Sequence, residues 1–313
     1  MPGKICLYST FICLCVLFSN HLSYGQRGTL SAKIKHVTPA TNWQKSDSIK
    51  LQFNAYHTQG LVKVKDHFYL SSVEVTKATQ KYGDTHHRYD RDTGEGIGHI
   101  FKINQQGELV EDMIVGKGTI YHPSGMDFDG QYIWFAVAEY RPHSQSTIYR
   151  LNTYTDQIET LFSVDDHIGL VIRNKDQNIL IGATWDGRKF YAWPLNKSNV
   201  PLKSATKETS NLSYYIAFQD GQYIGDHLML GSGIRHYTLS NNQKFTLGGW
   251  EILDMKTMQP VWQLSIPMVS AVTGHSMANN PCFVESIPGG IQAYFAPDDQ
   301  LKTSIYSYIL KVE

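Results

Sequence analysis

Two histidine–glutamate pairs recur at one spacing: His57 and Glu74 stand 17 positions apart, and so do His122 and Glu139. The residues around them repeat too, YHTQGLVKVKDHFYLSSVE at 56–74 and YHPSGMDFDGQYIWFAVAE at 121–139. An imidazole near a carboxylate is the pairing that general acid–base catalysis uses. Neutral imidazoles converging on an axis also suit Zn, Fe or a similar divalent transition metal. Two further histidines open comparable segments, His167 in Asp166-His167-Ile168-Gly169-Leu170 and His275 in Gly274-His275-Ser276. The pattern makes His57, His122, His167 and His275 candidate ligands of one metal ion. Glu74 and Glu139 are then the candidate catalytic groups, transferring protons or fixing ring tautomers. The competing reading is architectural, with each ring bonded to backbone and each glycine allowing a tight turn.

A repeat of this length implies an element repeated with it. After residue 25 the chain alternates apolar and polar residues in short runs rich in Val, Ile, Tyr, Phe and Thr, bounded by Asp, Asn and Gly. Such runs are strands, and many short strands with turns between them build a sandwich, a barrel or a propeller. Segment starts near His57, His122, His167, Tyr214 and His275 are spaced like four-stranded blades. HIFKIN (99–104), TIYRLN (147–152), KFYAWPLN (189–196), GWEILDM (249–255) and SIYSYILKV (304–312) read as the third strand of each. The expected fold is therefore an all-β propeller of five blades, with six as the alternative count. Strand character in Thr29–Phe53 would supply the outer strand of the last blade and close the ring, removing open edges.

In a propeller the start of each innermost strand and the end of the next lie on one face, at the channel mouth. A second set of residues falls at the same places: Arg141 after Glu139, then Trp185, Asp186 and Arg188, then Tyr215. The arginines suit a ligand carboxylate or phosphate, and the aromatic rings suit stacking on a ring or sugar. Gly83–Gly98 is polar and charged and reads as a loop over that mouth. Its Asp90-x-Asp92-x-Gly94 run lacks the glutamate a calcium loop needs, since Phe101 holds that position. Gly274-His275-Ser276-Met277-Ala278 imitates a hydrolase elbow, but no histidine follows it in the chain.

Lys4 ahead of an apolar run from Ile5 to Phe18, with Ser23 and Gly25 at its end, reads as a signal peptide over 1–25. The remainder, 26–313, is expected to be one domain, secreted or periplasmic, with no membrane contact after cleavage. Cys6, Cys13 and Cys15 leave with the signal, and Cys282 alone cannot form an internal disulfide. Basic and acidic residues balance at 28 each with no cationic stripe, which excludes nucleic acid as a partner. A small molecule, a sugar or a peptide is the expected ligand.

The whole mature segment resembles an uncharacterised family of exported five-bladed propellers, a resemblance that implies fold and no activity. Thr58-Gln59-Gly60-Leu61 resembles the Phe-Thr-Gln-Gly-Leu start of plant-type glutaminyl cyclases, with His57 in place of the phenylalanine. That likeness implies acyl transfer with a glutamate. Lactonases and streptogramin lyases are similar at the level of fold alone. The leading expectation is a metal-dependent hydrolase or lyase acting on a small polar substrate; a non-enzymatic ligand-binding or scaffold propeller is the alternative.

Overall fold

A computed structural model of the chain describes residues 30–83 and 88–312. The signal peptide expected at 1–25 lies outside these residues. Residues 30–35 are helical, where strand was expected from Thr29. The reason is visible in Leu30, Ile34 and Val37, all buried, whose spacing is that of one helix face.

From there on the chain is strand. β1 (Trp43–Lys50) comes first and waits for a partner. β2 (His57–Val64), β3 (His67–Lys77), β4 (Glu95–Ile103) and β5 (Leu109–Gly118) form an antiparallel meander. β6 (Ile120–Pro123) and β7 (Asp127–Phe128) both pair with β8 (Tyr132–Glu139), which continues to β9 (Ser146–Asn152) and β10 (Ile158–Val164). One residue pair, Lys117 with Ile120, joins these two groups into a single sheet. β11 (Ile168–Asn174), β12 (Ile179–Thr184), β13 (Lys189–Pro194) and β14 (Lys207–Ser210) form the third group. β15 (Ala217–Gly225), β16 (Leu228–Thr238), β17 (Lys244–Asp254) and β18 (Gln259–Ser265) form the fourth. β19 (Cys282–Ile287), β20 (Gly290–Phe295) and β21 (Ser304–Lys311) then pair with β1, so the N-terminal strand completes the C-terminal sheet.

Local chemistry sets the turns. Asp226 and His227, both at positive φ (52° and 59°), make the two-residue turn between β15 and β16. That geometry matches the twist of the flanking strands. Each segment expected as a third strand holds that place: β4, β9, β13, β17 and β21.

The core lies between groups rather than inside one. Val62, Tyr69 and Ile100 of the first pack on Ile133, Phe135 and Val137 of the second. Trp134 and Ile148 of the second meet Leu180 and Trp193 of the third. Phe190 of the third meets Phe218 and Met229 of the fourth. Trp250 meets Phe295 and Tyr306, with Leu30 and Ile34 of the helical turn against them. Finally Phe68 and Phe101 meet Tyr294 and Ile305, returning to the start. Leading strands β2, β7, β11, β15 and β19 contact one another at the centre. Sheets packed face to face in a ring about their first strands are a β-propeller.

Candidate functional site

Register decides which side chains face the centre. Val64 pairs with His67 across the first hairpin, and an unbroken ladder would set His57 opposite Glu74. A β-bulge between Thr58 and Gly60 inserts one residue, so His57 pairs with Val73 instead. The second group does the same: Phe128 pairs with Ile133, yet His122 pairs with Ala138 and not Glu139. Successive side chains alternate in direction, so the extra residue turns both glutamates away from the histidines. Bulges recur between Ile168 and Leu170 and between Phe218 and Asp220. The residues they set free, Gln59, Gly169 and Gln219, all line the central pocket. Bulges next to sites re-aim side chains in this way.

Beneath the pocket the axis is stitched shut. Asp220 on β15 is fully buried and accepts backbone N–H groups from three other groups. Its Oδ2 takes Leu61 at 2.8 Å and Cys282 at 3.1 Å, and its Oδ1 takes Met126 at 3.0 Å. Burial pushes its carboxyl well above the ordinary range, against the pull of bonds from Leu61, Met126, Gly221 and Cys282. Asp127 on β7 does the same for Arg173 at 2.8 Å and Tyr223 at 3.2 Å. Gln222 exchanges two bonds with Val284. The depression at the opposite end is lined by Asp127 and Gln222 and shares no residue with the histidine pocket. The pocket is blind.

Its volume is about 190 Å³. His57, His122 and His167 line it: His57 opens β2, His122 lies on β6 ahead of β7, and His167 directly precedes β11. His57 Nδ1 is 3.0 Å from Asp299 Oδ2, and its Nε2 is 2.7 Å from the Gln59 amide nitrogen. In the neutral ring Nδ1–H donates to Asp299 and Nε2 accepts from Gln59. Asp299 Oδ1 is held in turn by Thr58 N and Asn280 Nδ2. His167 donates from Nδ1 to the Glu139 carbonyl at 2.8 Å, which leaves Nε2 as an acceptor. Burial lowers its pKa to about 4, opposed by that bond and by Asp166 and Glu139. His122 stacks on Tyr140 at 4.5 Å and lies 5.6 Å from His167. Burial first, then the neighbouring His167 and His57, holds it well below the usual histidine range. Both inner rings are neutral at physiological pH.

The remaining wall is Thr184, Trp185, Asp186 and Phe218. Trp185 meets His167 edge-on at 4.8 Å and tilts against Tyr140 at 5.5 Å. Asp186 sits in the left-handed region at φ 59°, which aspartate tolerates better than most residues. Above the mouth, Arg91 of the loop after β3 lies over Trp185 at 5.2 Å, and Tyr89 stacks on Arg141 at 3.6 Å. The described part of the loop expected over this mouth thus reaches the second and third groups. Asp92 is spent within it, accepting Gln80 N and Gly94 N.

Of the residues singled out from sequence, His57, His122, His167, Trp185 and Asp186 come together here. The others do not. Glu74 faces His99, whose Nε2 is 3.6 Å from Glu74 Oε2 and whose Nδ1 bonds Asp112. Glu139 is buried against Arg141 Nε at 2.7 Å and Gln145 at 2.9 Å, so Arg141 is occupied as well. Arg188 donates to the carbonyl oxygens of Asp186 and Ser213 and stacks on Tyr214. Tyr215 bonds Ser265 and packs under Gly249. His275 lies in the exposed turn before β19, bonded to the Pro297 carbonyl. Alignment on Asp220 explains that displacement. Leu61, Met126 and Cys282 are equivalent as its donors, so Ala278, not His275, matches His57 and His122. Among the described residues no three His, Cys, Asp or Glu side chains converge as a metal site.

Sequence reasoning missed Gln59, Gln219 and Asp299 as pocket residues. For the first two the signal is the bulge, which needs the hairpin register to be counted. For Asp299 only the acidic Asp298-Asp299 pair after β20 was available.

The fold and site define a β-propeller with a blind pocket of neutral histidines at one end of its axis. The chain belongs to DUF6454, a family of unknown function whose model matches residues 15–312. No functionally curated protein matches it. Among solved structures it is similar to a luciferin-regenerating enzyme, with a TM-score of 0.48, 8% identity, and 88% and 98% of the two chains covered. A DUF4623 family protein from Bacteroides eggerthii gives 0.46, 10%, 88% and 77%. A GH43 endo-arabinanase from Bacillus licheniformis gives 0.44, 9%, 83% and 96%. None of their activities is carried over to this chain.

Proposed function

We propose that this chain is an exported five-bladed propeller, each strand group being one blade, that works as a hydrolase or lyase on a small polar substrate. The observation that carries the reading is the Asp299–His57 pair beside two neutral imidazoles in one blind pocket. Asp299 fixes the His57 tautomer and stabilises the imidazolium that forms when Nε2 takes a proton. Gln59 holds Nε2 in the free site and gives it up to the substrate. Nε2 of His167 accepts a hydrogen bond from a substrate hydroxyl or a water, presenting it to His57. In a hydrolysis the water oxygen attacks, its proton passes to His57 Nε2, and the same proton leaves on the departing group.

Turnover of a panel of small esters, lactones and carbon acids tests this. His57→Gln is expected to lower kcat/KM by about 10²–10⁴-fold, and Asp299→Asn by less. Wild-type turnover in His57→Gln would remove the role given to His57, and turnover of no panel member would leave a ligand-binding propeller instead.

A further inference from the structure

At the rim of the pocket stand guanidinium groups with donors that no acceptor among the described residues meets. Asp186 is the only carboxylate in the described lining, and two guanidinium groups share it, Arg235 Nη1 at 3.1 Å and Arg188 Nε at 3.9 Å. Arg235 Nε and Nη2 and Arg188 Nη2 are buried with no partner among the described residues. Buried cationic donors without acceptors cost free energy, a cost that an oxyanion would relieve once the side chains turn to meet it. Arg91 adds a third guanidinium over Trp185, held at Nε and Nη2 by Asp90 with Nη1 left over. Arg235 lies at the end of β16, which past Ile234 pairs only with β17, and reaches the pocket wall through Asp186.

The interior asks for a different chemistry. Gln59, Gln219, Thr184 and three imidazoles offer donors and acceptors close to the Trp185 and Tyr140 rings. An apolar ring filling that space would leave His122 Nδ1 and His167 Nε2 unpaired, which is the stronger penalty. Hydroxyl groups would pair with them while a sugar face lies on the aromatic wall. Size narrows the class again: about 190 Å³ is below the roughly 300–1,000 Å³ of sites for drug-sized ligands. One ring fits.

We propose that the pocket takes a monosaccharide-sized polyhydroxy ring bearing a carboxylate, a hexuronate in chemical class. Its hydroxyls pair with the imidazoles and amides inside, and its carboxylate meets Arg235 and Arg91 at the rim. The inference rests on the pocket reading above and names its substrate class.

Calorimetric titration of the purified chain with D-glucuronate, its neutral methyl ester, D-glucose and benzoate tests it. Glucuronate is expected to bind at least about tenfold more tightly than the other three. Arg235→Gln and Arg91→Gln should abolish the preference for the acid over its methyl ester while leaving glucose affinity unchanged. The ester comparison uses unaltered protein, so it stands even if a variant misfolds. Equal affinity for acid and ester, tighter binding of benzoate, or no glucuronate binding overturns the inference. Binding is read apart from turnover, so the two claims fail separately. Glucuronate bound but never transformed removes the hydrolase or lyase reading alone. Loss of another substrate's turnover in His57→Gln, without glucuronate binding, removes this one alone.

Discussion

His122 and His167 are shaped by what surrounds them more than by what they are. Each is walled by an aromatic ring, Tyr140 or Trp185, and each loses water on folding, so the proton is shed. This has a stability consequence. His167 has a folded pKa of about 4 against about 6.5 unfolded. Its folded value is lowered, so the unfolded chain binds the proton first as pH falls. Stability is therefore full above about pH 6.5, declines between 6.5 and 4, and loses on the order of 3 kcal/mol from this residue. His122 acts in the same direction. Urea unfolding at steps from pH 7 to pH 4 should show that decline, and His167→Gln should flatten it. An unchanged slope in the variant would show that His167 is not the buried neutral ring described. Three of the four histidines singled out from sequence come together with Trp185 and Asp186. The glutamates turn away because a side chain's direction depends on a hydrogen-bond register that residue types do not display.

That register belongs to the strands. The third strands were readable because each is a compact run with closely set Ile, Leu and Tyr residues, as in β9 and β21. The leading strands were not, because each of the first four breaks its own alternation just past the histidine position or its equivalent. Gly60 shows why the break is fixed there. A Cβ on Gly60 would sit 2.9 Å from Met126 N, Met126 Cγ and Ser71 Oγ, so the bulge lets two leading strands approach closely. Gly60→Ala is expected to cost about 1–3 kcal/mol and to weaken ligand binding, since Gln59 would move with it. Thermal melts and titration with a pocket ligand check both. A variant as stable as wild type would mean that the strands have room the geometry does not show. The helical turn at 30–35 was missed for the opposite reason: its three apolar positions are too few to outweigh the strand-rich sequence around them.

At the scale of the molecule, five apolar clusters among the described residues lie between neighbouring groups, and each group depends on two others. Packing of that kind holds the ring at its flanks but not at its centre, where leading strands meet with few side chains to fill the space. Asp220 and Asp127 do that work. Between them they accept N–H groups that belong to, or directly precede, every leading strand around the axis. A sequence reader sees Asp220 in Gln-Asp-Gly-Gln and takes it for a turn residue, since buried carboxylates are rare and their partners are far along the chain. The distinction is testable by a near-isosteric change. In Asp220→Asn one oxygen becomes an NH₂ group facing backbone N–H donors. If it replaces Oδ2, Leu61 and Cys282 both lose their acceptor; if Oδ1, Met126 does. Each buried donor left unpaired costs about 1–3 kcal/mol, so the loss should reach on the order of 3 kcal/mol by urea denaturation. The pocket directly above should lose ligand affinity at the same time, because Gln219 and Gln59 flank residues that Asp220 anchors. A substitution costing under about 1 kcal/mol would show that the flanking clusters alone hold the ring, and that the axis carries no shared load.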